Sequence, residues 1–588
     1  MKLIHIVVVI CLLLFASSCR CAEQLQVVEP LDNVALPEFF NMAVFVDKSC
    51  YKPGEEIYFT INSAVLPSGT KVRYKHLNNT ISEEEINSAN WTWKAPGKDF
   101  TGYTAEVYKK TDHSETIYAV IGIDVSSDWT KFPRYGFISN FSTSDQSSAK
   151  SVISYLNRFH INGLQFYDWH NKHHQPLPLF GGLPAENWRD IGNREISLNT
   201  VKSYINEAHK YNMRAMFYDL VYGAWNYAEK EGVKTEWYMY IDNKHTSVDL
   251  FLLSNPFISN LFLLDPGNSE WQDYMKSEVA TVYRFLDFDG YHMDQLGDRG
   301  KRYRYDGSAI DVAASYKLYI NSIDNINPVK YNVMNAVAQY GQQAIASSTA
   351  DFLYSEVWSP WDSYNDLASI IKQNNLMSNN SKNTVLAAYV NYDLGEHKGF
   401  FNTPSVLMSD AVIFAFGGSH LELGEHMLCK EYFPNNNLSM KDDLKKNLIC
   451  YYDFMVAYQN LLRDKGEFNV TNLSCTDGKI LLSPWPASCG SVSWFGKKVG
   501  TRQVIHLLNF TNSTTMNWRD NKGVQVAPSV IKNATMAFSA EKTVKSVWIA
   551  SPDLAGGSSV SLSFTQSDDQ VRFIVPYLKY WDMIVVEY

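Results

Sequence analysis

The pattern of apolar and polar residues changes twice along the chain and divides it into three regions. In residues 34–127, segments such as Ile57–Asn62 and Ile117–Val125 alternate apolar and polar side chains with a period of two. This period is typical of strands that bury one face, and short strands at this spacing indicate an immunoglobulin-like (Ig-like) β-sandwich. Residues 466–588 show the same alternation, for example over Thr501–Asn509, and predict a C-terminal antiparallel β-sandwich.

Between these regions, residues 128–465 repeat a short apolar run, a polar loop and a longer segment with helical periodicity, such as Trp271–Phe285. Strands that alternate with helices form parallel sheets, so eight repeats predict a central (β/α)8 barrel of the TIM type in a multidomain protein. The irregular stretch between Tyr222 and Trp271 predicts an excursion over the active face. The predicted strands are Gly136–Ser139, Gly163–Tyr167, Arg214–Tyr218, Gly290–Met293, Asn332–Asn335, Phe352–Ser355, Val385–Val390 and Val412–Leu421.

Two of these strands lead directly into carboxylates. The apolar run Phe285–Met293 is followed by Asp294, and Asp351–Val357 contains Glu356 within an apolar stretch. Because a barrel presents its catalytic groups at the C-terminal ends of its strands, these two side chains are the candidate catalytic pair. Two carboxyl groups are what hydrolysis of a glycosidic bond requires.

Polar and aromatic residues also follow most of the other predicted strands. Rings that pack against sugar faces and polar groups that bind hydroxyls suit a carbohydrate site, so we expect these residues to contact substrate. For His420 and Glu422, a purely structural role at the barrel rim is the alternative. The predicted substrate-binding residues are Tyr167, Asp168, Trp169, Asn335, Trp358, Asn391, His420 and Glu422.

Net charge and motifs narrow the possible functions. The formal net charge is −10, which argues against a nucleic-acid-binding surface. The chain contains no P-loop, GxGxxG, GxSxG or HExxH motif, so nucleotide-binding, serine-hydrolase and zincin chemistry have no support. The run His170-Asn-Lys-His-His174 resembles a metal cluster superficially, but histidines in loops are more often solvated. We therefore expect neither a metal nor a cofactor.

The N-terminus has the pattern of an export signal. Lys2 precedes an apolar run from Ile4 to Phe15, and small residues follow. We predict a signal peptide over residues 1–22 and an exported protein. Cys19 fits a lipoprotein signal imperfectly, so a lipid anchor at the cell surface or in the periplasm and simple release are both open. Five cysteines follow the signal region, too few for a disulfide scaffold, and we expect a monomer.

Six motifs, taken together and in this order, resemble glycoside hydrolase family 66. They are Trp129–Phe137, Gln165–Trp169, Phe288–Asp298, Tyr354–Trp358, Ser419–Glu425 and Pro576–Val585. The resemblance implies the same three-part architecture of Ig-like domain, barrel and C-terminal β-domain. It also implies that Asp294 is the nucleophile and Glu356 the general acid/base, by alignment of the motifs.

The family holds endo-dextranases and cycloisomaltooligosaccharide glucanotransferases, which act on α-1,6-linked glucan. The resemblance therefore implies an endo-acting, retaining hydrolase that cleaves dextran into isomaltooligosaccharides. The transferases carry a carbohydrate-binding insert after the seventh strand, whereas only 20 residues separate Asn391 from Val412 here, which favours the hydrolase. The alternatives are a glucanotransferase and a surface glycan-binding lipoprotein without catalysis.

Overall fold

The structure is a computed structural model, and it describes residues 42–63, 65–112 and 114–588. The predicted signal peptide over residues 1–22 and the candidate anchor Cys19 lie outside the described residues. None of the helices in the described ranges is both long enough and apolar enough to cross a membrane.

Eight parallel strands form the centre of the molecule, and the predicted barrel is confirmed. They pair in chain order from β1 to β8. The two edges meet where Phe137 of β1 donates its backbone N–H to the carbonyl of Leu423, 3.1 Å away, just beyond β8. The strands are β1 Tyr135–Ile138, β2 Gly163–Phe166, β3 Arg214–Leu220, β4 Gly290–Asp294, β5 Tyr331–Val337, β6 Leu353–Glu356, β7 Thr384–Ala387 and β8 Ser419–His420.

Alternate side chains of these strands fill the barrel interior. Successive side chains of a strand point to opposite faces, so every second residue points inward. Inward positions of different strands pack into one apolar cluster, which includes Tyr135, Met216, Val333, Tyr354 and Val385. Asp294 follows His292 by two positions and Glu356 follows Tyr354 by two, so both carboxyl groups continue the inward series at the C-terminal end of the barrel.

A helix follows each strand and packs around the barrel. The predicted strand over Val412–Leu421 is wrong in its first half, because Val412–Ala415 is the last turn of α7. Only Ser419–His420 pairs with β7. The helices are α1 Ala149–Asn157, α2 Leu198–Lys210, α3 Ser269–Phe285, α4 Val312–Asp324, α5 Gln342–Ala346, α6 Tyr364–Met377, α7 Thr403–Ala415 and α8 Asp442–Ala457, with a further turn at Gln459–Leu462.

Two antiparallel sheets precede the barrel and enclose an apolar core that includes Val44, Ile57 and Val72. One sheet lies directly on α8. A β-carbon added at Gly122 would stand 2.4 Å from the carbonyl oxygen of Asp453, so only glycine permits this approach. The strands are Val44–Val46, Glu56–Ile61, Lys71–His76, Asn79–Glu85, Asn90–Lys94, Thr101–Lys110 and Glu115–Val125.

The C-terminal region forms a larger and a smaller sheet around a second apolar core, which includes Val492, Ile505 and Phe573. Between Asn509 and Ile531 the chain leaves these sheets and reaches the barrel. The Ig-like and sandwich assignments, and the boundaries at 34–127, 128–465 and 466–588, stay predictions. The strands are Glu467–Asn469, Leu473–Cys475, Leu482–Pro484, Val492–Val499, Arg502–Asn509, Ile531–Ser539, Ser546–Ala550, Val560–Leu562, Phe564–Ser567, Gln570–Leu578 and Trp581–Glu587.

Candidate active site

A cavity of about 600 Å³ opens at the C-terminal ends of the barrel strands. This is the face at which barrel enzymes carry their active sites. The structure brings six of the ten predicted site residues together in its wall: Tyr167, Asp168, Asp294, Asn335, Glu356 and Trp358.

The amide of Asn335 joins the two candidate catalytic carboxyl groups. Its Nδ2 donates to Asp294 Oδ1 at 2.8 Å and to Glu356 Oε2 at 2.9 Å. The two accepting oxygens are therefore no farther apart than the sum of these distances, about 5.7 Å. Retaining glycosidases hold their carboxyl groups roughly 5–5.5 Å apart, whereas inverting enzymes leave about 6.5–9.5 Å for a water.

Two tyrosines hold the outer oxygens of the pair. Tyr218 donates its hydroxyl to Asp294 Oδ2 at 2.6 Å, and Tyr389 donates to Glu356 Oε1 at 2.8 Å. Both tyrosines line the cavity, and neither was predicted as a site residue. The missed signal is their spacing, because Tyr218 and Tyr389 lie two and four residues beyond the inward-pointing Met216 and Val385.

The surroundings raise the pKa of both carboxyl groups. Burial raises the pKa of Asp294, while hydrogen bonds from Tyr218 and Asn335 oppose this shift by stabilising the ionised form. Burial and the neighbouring charge of Asp294 raise the pKa of Glu356 to about 7. A pKa of about 7 keeps Glu356 partly protonated near neutral pH, as a general acid needs, and the two side-chain donors on Asp294 favour its ionised form, as a nucleophile needs.

Asp168 reaches the cavity through an unusual backbone conformation. Its φ of 50° lies in the left-handed region, and this interrupts the alternation after β2 so that Tyr167 and Asp168 both face the cavity. Burial raises the pKa of Asp168 to about 8, although the Arg194 guanidinium 3.7 Å away acts in the opposite direction. A carboxyl group at this position can donate a hydrogen bond to a sugar hydroxyl when it is protonated, and it can accept one from a sugar hydroxyl when it is ionised.

Apolar and aromatic side chains form the outer wall. The predicted excursion between Tyr222 and Trp271 contributes Phe251 and Phe257, and the loop after β8 contributes Tyr432 and Phe433. The Phe433 ring stacks on Tyr167 with 4.3 Å between ring centroids. Such a wall presents ring faces to a carbohydrate chain.

The sequence profile of glycosyl hydrolase family 66 matches residues 46–585. The chain belongs to glycosyl hydrolase family 66. The resemblance inferred from the six motifs is thereby confirmed.

Family 66 relatives cover most of the chain. A cycloisomaltooligosaccharide glucanotransferase of Niallia circulans is 27% identical over 706 residues, covering 92% of this chain and 71% of that protein. A dextranase of Streptococcus salivarius is 25% identical over 553 residues, covering 79% and 65%. The crystal structure of a Paenibacillus sp. cycloisomaltooligosaccharide glucanotransferase complexed with cycloisomaltoheptaose matches with a TM-score of 0.84 and 24% identity over 95% of this chain and 99% of that one. At this identity the structural match shows a shared fold.

Trp169 and Asn391 lie outside the cavity wall of this family 66 protein. Trp169 is fully buried behind β2 and donates its indole N–H to the carbonyl of Tyr218. Asn391 is also fully buried, and its Nδ2 donates to the carbonyl of Asp520 at 2.9 Å. The expectation that Trp169 and Asn391 contact substrate therefore does not match their positions.

His420 and Glu422 also point away from the cavity. Ser419 of β8 and Leu421 just beyond it hold the inward positions, so His420 and Glu422 face the surrounding helices. There His420 Nδ1 lies 2.8 Å from Asp410 of α7, and the hydroxyl of Tyr452 in α8 donates to Glu422. The structural alternative for these two residues fits the geometry, and the substrate-contact expectation does not.

In the part of the chain that the structure describes, two buried clusters have the residue types of a metal site: His170, His173 and Asp219, and Asp410, His420 and Glu422. In the first, His173 Nδ1 accepts a hydrogen bond from the Trp225 indole, so Nε2 carries the proton and offers no lone pair to a metal.

In the second cluster, His420 Nε2 lies 2.8 Å from the carbonyl of Ala388, which fixes the proton on Nε2 and leaves Nδ1 between two carboxyl groups. Burial raises the pKa of Asp410 and of Glu422 well above the usual range. Shared protons account for the contacts within this second cluster.

Proposed function

We propose that this protein is an endo-acting dextranase that cleaves α-1,6-glucosidic bonds with retention of configuration. The observation that carries the proposal is the Asn335 amide, which holds Asp294 and Glu356 within the separation of a retaining pair. Membership of glycosyl hydrolase family 66 supports the class of reaction.

In the proposed reaction, Glu356 protonates the departing glycosidic oxygen while Asp294 attacks the anomeric carbon. The leaving sugar departs with the proton, and a covalent glycosyl-enzyme remains on Asp294. Glu356 is now ionised and removes a proton from water, which attacks the same carbon and releases Asp294. Tyr218 and Tyr389 keep the two carboxyl groups oriented in both steps.

The proposed substrate is an α-1,6-linked glucan such as dextran. One relative is named a cycloisomaltooligosaccharide glucanotransferase and another a dextranase, and these names support the substrate class. Within the cavity we assign substrate contacts to Tyr167, Asp168, Asn335 and Trp358. Trp358 supplies a ring face beside Glu356, while Asp168 supplies a polar partner for hydroxyl groups.

Hydrolysis is favoured over cyclisation by the connection between β7 and β8. That connection consists of a short turn at Tyr392–Glu396, a two-residue strand and α7, with no additional module. The alignment with the Niallia circulans glucanotransferase spans 706 positions, more than the 588 residues of this whole chain. That relative therefore has residues inside the aligned region without a counterpart here.

The competing hypothesis is a glycan-binding protein without catalytic activity. A binding protein has no use for two buried carboxyl groups that one amide holds at the separation of a retaining pair. The hydrogen-bonded pair therefore favours the enzyme.

Incubation of the purified protein with dextran distinguishes three hypotheses: a dextranase, a glucanotransferase and a non-catalytic binding protein. We expect new reducing ends and linear isomaltooligosaccharides, with the α-anomer appearing first in a proton NMR time course. Cyclic products would indicate the transferase, and binding without products would indicate the non-catalytic protein. An initial β-anomer would contradict the retaining mechanism.

Export, and attachment through Cys19 or release, stay predictions, as does the monomeric state. Export and attachment can be tested by expressing the protein in a secreting host and determining the mass of the mature N-terminal peptide. A mature chain that begins at a lipid-modified Cys19 would establish the anchor.

A further inference from the structure

Arg519 is a buried cation that the C-terminal region inserts beside the candidate active site. It lies between the strands Arg502–Asn509 and Ile531–Ser539 and is only 8% exposed. Among the described residues its guanidinium forms no ion pair with an acidic side chain, and the charges of Asp362 and Glu356 act on it only from a longer distance. A buried, unpaired charge is costly, so its retention at this place requires a reason.

The guanidinium contacts the two chain segments that hold Glu356. Its Nη2 donates to the carbonyl of Val357, the residue after Glu356, at 2.7 Å. Its Nη1 reaches the carbonyl of Tyr389 at 3.5 Å, and the Tyr389 hydroxyl donates to Glu356. The same guanidinium lies 4.8 Å from the ring centre of Trp358.

The backbone around Arg519 is fastened to the barrel independently of its side chain. Asn391 donates its backbone N–H to the carbonyl of Arg519 at 2.7 Å, and the Trp518 indole donates to the carbonyl of Trp361 at 2.7 Å. The loop is therefore held at the ends of β6 and β7 even when the guanidinium is removed, and this makes the side chain testable by substitution.

We propose that Arg519 is a positioning residue for the acid/base Glu356 and for the sugar-stacking ring of Trp358. This inference rests on the proposed function, because it assigns Arg519 to the protonation step of that reaction. By fixing the peptide after Glu356 and the carbonyl of Tyr389, Arg519 holds the carboxylic acid where the departing oxygen will be. The C-terminal region thus contributes to proton transfer without touching substrate.

The test compares two substrates that differ in their need for an acid. Departure of a sugar from dextran requires protonation, whereas departure of nitrophenolate from a nitrophenyl α-isomaltoside does not. We expect Arg519→Met to lower kcat on dextran by about 10²-fold, the low end of what proton transfer contributes. On the nitrophenyl substrate, formation of the glycosyl-enzyme should slow by less than about threefold, because this step does not depend on the acid.

Arg519→Lys keeps a cation but loses the forked geometry of the guanidinium. Its kcat on dextran should lie between the values of Arg519→Met and wild type.

Asn365→Ala is the matched control, because Asn365 also links the barrel to the C-terminal region, through the backbone of Ala487 and away from Glu356. It should lower the melting temperature while the kinetic constants on both substrates stay near wild type. An equal loss on both substrates in Arg519→Met, or no loss on either, would overturn the proposal. If Arg519→Met does not fold, Arg519→Lys provides the same comparison.

The outcome is independent of the proposed polysaccharide. Failure of wild type to release reducing ends from dextran would refute the proposed function. The positioning role is judged from the variant-to-wild-type ratio on the two leaving groups, and any oligosaccharide that wild type hydrolyses can replace dextran in that ratio.

Discussion

At the scale of single residues, Asn335 controls the ionisation of both carboxyl groups. Its amide donates to Asp294 and to Glu356, and in each case this lowers the pKa against the effect of burial. One neutral side chain thereby shifts both limits of the pH range in which Asp294 is ionised and Glu356 is protonated.

Asn335→Ala should therefore move both limbs of the pH profile of kcat/KM to higher pH. Loss of the donor raises the pKa of Asp294, which must be ionised, and of Glu356, which must be protonated. Hydrogen bonds to charged groups contribute about 1.5–3 kcal/mol, so kcat/KM at the optimum should fall by roughly 10–100-fold. Asn332→Ala is the control, because that amide lies on the same strand but donates to Asp324. Limbs that move in opposite directions would contradict this role.

Azide should distinguish the two carboxyl groups by the configuration of its product. With a nitrophenyl α-isomaltoside, Glu356→Ala should yield the α-glycosyl azide, because azide attacks the glycosyl-enzyme in place of water. Asp294→Ala should yield the β-azide, because azide enters the space of the missing nucleophile. Asp298→Ala, in the exposed loop after β4, should retain near-wild-type activity. Identical azide products from both variants would refute the assignment.

At the scale of the elements, the alternation of side chains decides which strand-end residues reach the cavity. Asp294 and Glu356 could be predicted because an apolar run ending in a carboxylate is visible in the sequence. Tyr218 could have been found by counting in twos from Met216. The buried position of Trp169 could not be predicted in this way, because the left-handed conformation of Asp168 changes the direction of the chain just before it.

The missed helix end has a different physical cause. Every residue of α7 except Pro404 is buried, because other parts of the molecule cover all its sides. Such a helix has no polar face, and its β-branched residues Val412 and Ile413 then look like a strand. Only the packing of the whole chain around α7 reveals its conformation.

His420→Ala should therefore act on stability rather than on substrate binding. The imidazole bonds Asp410 and the carbonyl of Ala388, so its removal deprives a buried acid and a buried carbonyl of this partner. We expect the free energy of unfolding to fall by about 3 kcal/mol or more. KM of the folded enzyme should stay unchanged, whereas Trp358→Ala should raise KM. Michaelis constants and thermal denaturation of both variants test this prediction. A raised KM in His420→Ala would indicate that His420 contacts substrate.

At the scale of the whole molecule, buried carboxyl groups link stability to pH. Glu425 connects the end of β8 to that of β1, where it accepts hydrogen bonds from Ser139 N–H at 3.0 Å and from Asn140 Nδ2 at 2.6 Å. Burial raises its pKa from 4.5 to about 7. The barrel is therefore fastened at its closing edge by an acid that is most stable in its protonated form.

Glu425→Gln should make the stability less dependent on pH. The folded protein retains this proton up to about pH 7, whereas the unfolded chain releases it near pH 4.5. The stabilisation is present below pH 4.5 and is lost as pH rises through 7, with a total on the order of 3 kcal/mol. Urea unfolding at pH 5 and pH 8 should show a smaller difference for the glutamine variant than for wild type. An equal or larger difference would contradict the raised pKa of Glu425.

The contact between Arg519 and Val357 also has a consequence in time. The two residues are separated by 162 positions. At about 5–20 residues per second, the ribosome completes Arg519 roughly 10–30 s after Val357. Once the chain has passed Ala457, it contains the whole barrel and every carboxyl group of the cavity, but until Arg519 is made the ends of β6 and β7 lack the residue that covers them. Each newly made molecule thus passes through a stage in which its barrel is fully translated while its chemistry is incomplete.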